Sequence, residues 1–217
     1  MSAMRSMILL AVLVLSGCAV GNTVDFRAQK PAVTATTDKT VTVAVLDQRD
    51  YVISGDKAPS FVGIRRGGFG NPFDVPPRSG GPLASDVSLM VVDALKAHGV
   101  DASAIAVAPN SDSQVAVAAA VATSSQRGLL VLIGEWRSDL FMNMEVDYDL
   151  TVQVLDAEGT VLASSNEAGN NHLGQVIDRF PGAIGIEQIS RRHVDRRWNM
   201  TGPGAAPDLA AECLRIP

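Results

Sequence analysis

Asp47 and Arg49 stand two positions apart at the end of an apolar run. On an extended chain they face the same way. A guanidinium matches a carboxylate with paired donors. The two could present an anion- or peptide-binding edge, or close on each other as an ion pair that fixes the following loop; the second reading is the simpler. A second constellation is Arg65-Arg66-Gly67-Gly68-Phe69-Gly70. Its glycines free the backbone, and successive amide N–H groups in such a loop can cradle an anion. It lacks the Gly-Lys-Ser/Thr of a nucleotide-binding loop. With Phe61, Phe69 and Phe73 set among glycines and prolines, it reads either as a recognition loop, because aromatic and arginine side chains carry much of the energy of interfaces, or as a loop whose phenylalanines tuck beneath it and pin it to the sheet. The residues assigned to partner binding are therefore Arg65, Arg66, Phe69, Phe73, Asp47 and Arg49. A third group is acidic: Glu135, Asp139, Glu145, Asp147 and Asp149. Paired carboxylates can exchange protons or hold a divalent cation. Asp147 and Asp149, however, fall on the polar side of an alternating segment, where solvation accounts for them. His98, His172 and His193 show no two-histidine ligand spacing, and no Gly-x-Ser-x-Gly marks a nucleophile. No catalytic residue, metal ligand or cofactor is expected. An arginine-rich stretch near the carboxyl end (Arg179, Arg191, Arg192, Arg196, Arg197) is interleaved with Asp178, Glu187 and Asp195 and reads as a solvated helix face.

Ahead of these groups stands Leu15-Ser16-Gly17-Cys18, directly behind the apolar residues 7–15. That stretch is shorter than the about 20 residues a membrane-spanning helix needs, and small residues precede the expected cut as export signals require. The tetrapeptide resembles the lipobox of bacterial lipoproteins. The resemblance implies a signal peptide over residues 1–17, acyl chains on Cys18, and passage to the outer membrane, since no aspartate follows the cysteine. Several acyl chains anchor firmly where one holds weakly. Cys213 is then left without an intramolecular partner. The formal net charge of −5 in 217 residues argues against a nucleic-acid partner held through phosphates.

The remainder is enough for one ordinary domain. Residues 18–39 are polar and threonine-rich and read as a tether. Residues 40–47 alternate and are β-branched, a first strand with Val41, Val43 and Val45 on one face. Residues 48–81 lose all periodicity, as functional or unstructured loops do, apart from a short apolar Val62-Gly63-Ile64. Residues 82–98 have helical spacing, opened by Pro82 and ended by Gly99. A strand is expected over 100–108, then a helix capped by Ser111 or Ser113 with Val115, Ala118, Ala119 and Ala122 as its apolar stripe. Residues 129–136 read as a two-sided central strand. Residues 144–155 alternate strictly, turn at Asp156-Ala157-Glu158-Gly159 and return over 160–165. A last helix is expected over 184–199 and a loose tail over 200–217. The order predicts an α/β domain over residues 40–199: a mixed sheet of about five strands with helices packed on it and an antiparallel hairpin on the carboxyl side.

Val43-Ala44-Val45-Leu46-Asp47-Gln48-Arg49, with Asp-x-Arg closing the strand, resembles the first strand of YajG-type envelope lipoproteins, whose domain is similar to the amino-terminal domain of TolB. The helix after it and the strand–hairpin block 129–165 fit the same layout. The resemblance implies a non-enzymatic accessory or binding module in envelope assembly, anchored in the membrane and meeting an envelope protein partner. Competing expectations are an envelope hydrolase or small-ligand binder using the acidic face, and a subunit of an oligomeric export apparatus.

Overall fold

The computed structural model describes residues 23–31, 37–122 and 125–175. The expected signal peptide, Cys18, the helix over 184–199, the tail and Cys213 lie outside them. In chain order the elements are β1 (Val41–Asp47), α1 (Asp50–Ile53), β2 (Gly63–Arg66), β3 (Pro72–Val75), α2 (Leu83–Ala97), β4 (Ala102–Ile105), α3 (Ser113–Val121), β5 (Arg127–Leu140), β6 (Asn143–Leu155) and β7 (Val161–Gln175). They form one mixed sheet of seven strands with helices packed on it, so the expected α/β architecture is present with more strands than the sequence suggested.

β5 organises the sheet. One of its edges pairs antiparallel with β6, which pairs in turn with β7. The other edge is shared: residues 127–133 run parallel to β1, and residues 138–140 run parallel to β2. β4 then flanks β1, and β3 flanks β2 as an antiparallel hairpin.

Both faces of β1 are covered. Val41, Val43 and Val45 meet Val91, Val92 and Leu95 of α2, along with Val131, Ile133 and Val154. Ala44 and Leu46 join Leu130 and Leu155 beneath Ala116 and Ala120 of α3. Parallel strands with helices on both sides are buried in this way. β6 keeps the alternation read from its sequence: Met144, Val146, Tyr148 and Val154 are buried, and Glu145 is exposed.

The stripe expected on the second helix is displaced. Asp112, rather than Ser111 or Ser113, caps α3, accepting from the amides of Gln114 and Val115. The helix buries Ala116 and Ala120 and leaves Val115 about half exposed. Alanines surround this helix, so its sequence offers no contrast between faces.

Two further expectations change. The tether assigned to 18–39 is, over residues 23–31, packed into the domain. Val24 bridges Pro77 in parallel, and Phe26 is buried edge-on against Trp136, with ring centroids 5.8 Å apart. Arg27 donates to the buried carboxylate of Asp86 at 2.8 Å. Val24 is buried at the bridge and Phe26 where the segment begins to turn, with the Gln29 amide donating to the Phe26 carbonyl. Residues 48–81 are likewise not formless: they contain α1 and the β2–β3 hairpin.

Candidate functional site

Arg49 follows β1 and is fully buried. Its Nε and Nη2 donate to the two oxygens of Asp47 at 2.8 and 2.6 Å. Nη1 donates to the carbonyl of Phe61, and Nη2 also donates to that of Pro59 at 3.2 Å. The guanidinium thus uses its fork to tie the end of β1 to the chain entering β2. Burial alone would ease its proton off, but the hydrogen bonds and charge of Asp47 outweigh this and its pKa is raised. Asp47 and Arg49 are therefore not a binding edge: the carboxylate is consumed by the guanidinium, and neither reaches solvent.

Tyr51 of α1 extends the same cluster. Its hydroxyl lies 2.6 Å from Glu135 Oε1 and 2.9 Å from the carbonyl of Trp136, and its ring stands edge-on to Phe61. Burial, followed by the hydrogen bond to Glu135, pushes the phenol well above its ordinary value, although Arg49 pulls the other way. In the unfolded chain the phenol ionises near pH 10. The folded protein binds that proton more tightly, so this contribution is fully present below about pH 10 and is lost as pH rises toward the folded value. Urea midpoints taken from neutral pH to about pH 11 should fall less steeply for Tyr51→Phe than for the parent. Parallel slopes would count against a buried, proton-holding phenol.

The clamp positions the β2–β3 hairpin alongside the outer half of β5. Arg66 donates to Asp139 of β5, with Nε at 2.9 Å and Nη2 at 2.6 Å; Asp139 accordingly raises the Arg66 pKa. Arg65 stands in register between Phe73 and Leu140. At the turn the Gly67 amide donates to the Asn71 carbonyl, and the Gly70 amide to the Gly67 carbonyl. Gly70 takes a left-handed φ of 80°, which glycine adopts without strain. Phe69 projects from this turn 98% exposed, while Phe73 is only partly exposed, at 37%. A side chain at Gly67 would meet the Phe73 ring at 3.2 Å, so Phe73 lies back over the hairpin.

The sequence reading missed the neighbouring tip. Because Arg65 pairs with Leu140, the β5–β6 turn sits beside the β2–β3 turn. It carries Phe141 and Met142, exposed by 47% and 56%. A signal was present: an apolar pair occupying a tight turn, where polar residues and glycine are usual. Of the six residues assigned to partner binding, the fold therefore gathers Arg65, Arg66, Phe69 and Phe73 at one end of the sheet. It withdraws Asp47 and Arg49 and adds Phe141 and Met142.

The acidic group is spread along β5 and β6 and engaged one residue at a time. Asp147 accepts from Arg137 at 2.7 Å and from Asn170, and Asp149 from Asn166 at 2.7 Å. Among the described residues no group of three or more His, Cys, Asp or Glu side chains converges as a metal site would. Also among them, no helix is long and apolar enough to cross a membrane.

A mixed α/β sheet with two apolar hairpin tips side by side is the class of domain these features define. No family model matches the sequence, and no curated protein matches it. Solved structures similar to it include protein XCC0632 from Xanthomonas campestris, of family DUF330, at 14% identity over 78% of this chain and 92% of that one, TM-score 0.41. A PelC dodecamer from Paraburkholderia phytofirmans is 15% identical over 78% of this chain and 91% of that one, TM-score 0.41. Lipoprotein GNA1162 from Neisseria meningitidis is 12% identical over 74% and 99%, TM-score 0.31. With likeness this distant, the role of the chain has to come from its own residues.

Proposed function

We propose that this chain is an outer-membrane lipoprotein held by acyl chains on Cys18, whose periplasmic α/β domain is a non-enzymatic accessory or binding module in envelope assembly. The observation that carries the reading is Leu15-Ser16-Gly17-Cys18 behind its apolar segment. The YajG-type pattern at the end of β1 points the same way. The binding surface is the two-hairpin end, with Arg65, Arg66, Phe69, Phe73, Phe141 and Met142. Exposed apolar side chains gathered at one place mark interaction surfaces, whereas Asp47, Asp139, Asp147 and Asp149 are already engaged by arginine or asparagine.

Cys18→Ser tests the anchor. Removing the sulfur removes the site of diacylglyceryl attachment, so the variant should leave the membrane fraction or persist as unprocessed precursor. The parent, isolated from its native cells, should carry the mass of its acyl chains. An unmodified thiol at the mature terminus, or a Cys18→Ser variant unchanged in both fractionation and mass, refutes the anchor.

A further inference from the structure

We propose that the two hairpin tips insert into the surface of the bilayer that holds the anchor, so that Phe69, Phe141 and Met142 are a second membrane contact. The inference rests on the lipoprotein reading and names what its binding surface meets.

Direction and reach carry it. Val24 bridges Pro77 in parallel, so going backward from Val24 and backward from Pro77 leads the same way. Backward from Pro77 the chain enters β3 and climbs to the hairpin turn at Asn71. Cys18 lies six positions before Val24, an extended reach of about 20 Å. Asn71 lies six positions before Pro77. At Thr23 and Val24 the chain is therefore directed toward the tips, and the six positions back to Cys18 are length enough for the lipid-bearing residue to attain their level. The opposite end of the sheet, at the β6–β7 turn, faces away.

The chemistry of the tips suits an interface. Phe69 is almost wholly exposed, and Phe141 and Met142 about half exposed; none of the three is used by the core. The Gly67, Gly70 and Phe141 amides are bonded within their own turns, so little unsatisfied backbone would enter an apolar layer. Arg65, Arg66, Asp139 and Glu145 form a polar rim next to the tips. Insertion of the apolar side chains by about 5–10 Å would hold that rim at headgroup depth. The tips also supply what acyl chains alone lack, a fixed orientation of the domain on the membrane.

The test uses the full lipidated chain in vesicles of phosphatidylethanolamine and phosphatidylglycerol with brominated acyl chains. Phe69→Trp, Phe141→Trp and, at the far end, Val161→Trp are compared, each after subtraction of the parent's emission. All three positions are exposed, so folding is spared. The tip indoles should lose on the order of half their emission, as expected for rings sunk past the headgroups, while Trp at position 161 is unquenched. Protein that floats with the vesicles but shows no quenching at either tip overturns the tip contact alone and leaves the surface to a protein partner. Equal quenching at all three positions overturns it as well. Protein that does not float overturns the lipid anchor and the tip contact with it.

Discussion

Arg49→Ala is expected to destabilise the domain by about 3–5 kcal/mol, the usual result of removing one member of a buried ion pair. The loss has two parts. Asp47 is buried at the end of β1, and without the guanidinium it keeps a charge with nothing to balance it. The carbonyls of Phe61 and Pro59 lose a donor at the same time. Because these carbonyls belong to the segment entering β2, the damage should be directional. Amides of residues 61–66 and 72–75 should exchange faster with deuterium, while residues 128–133 of β5 stay protected. Asp47→Ala/Arg49→Ala should cost less than the two single changes together, since the charge left stranded by either alone is gone. Urea denaturation of the three variants decides the point. A single-variant loss below about 1 kcal/mol would fit a solvent-exposed pair and would remove the clamp as the reason the hairpin is held.

Gly63→Ala is the second large effect. Gly63 sits opposite Ser138 where β2 joins β5, and a methyl group there would lie 2.0 Å from Ser138 Oγ and 2.5 Å from Ser138 O. The hydroxyl can swing away, but the carbonyl is backbone. Overpacking of this kind costs about 1–3 kcal/mol or more. The β2–β3 hairpin should separate from β5, carrying the Phe69 tip away from Phe141 and breaking the Arg66–Asp139 bridge. Adding Ser138→Ala should not restore stability, because the carbonyl clash remains. Full rescue by that second change would show that only the side chain stood in the way.

These two residues show why a third of the proposed binding surface, Phe141 and Met142, escaped a reading of the sequence. The recognition loop was legible as a composition: two arginines, glycines and phenylalanines over residues 61–73. Its partner tip was not, because Phe141 and Met142 lie far along the chain and meet it only through the Arg65–Leu140 pairing. The Asp-x-Arg motif was visible, and so was its simpler reading as an ion pair. Its burial was not visible, since the carbonyls that complete it come from Pro59 and Phe61. Residues 23–31 looked like tether because their polar content hides two apolar residues, Val24 and Phe26, that dock on distant parts of the fold.

The amino-acid sequence determined by itself what depends on neighbours one to four positions away. The strand β1, the alternation of β6, the helix α2 with its glycine stop and the lipobox-like tetrapeptide all belong to this kind, because backbone periodicity and peptide processing act over such distances. Only the tertiary structure decided where charges go and which turns meet. A bulge between Ile133 and Glu135 shifts the side-chain alternation along β5, so that Trp136 shares a core with Ile133. The last residues of the same strand then receive β2 rather than β1. Pairings across such spans leave no local period in the sequence, since their free energy comes from contacts that exist only once the sheet has formed.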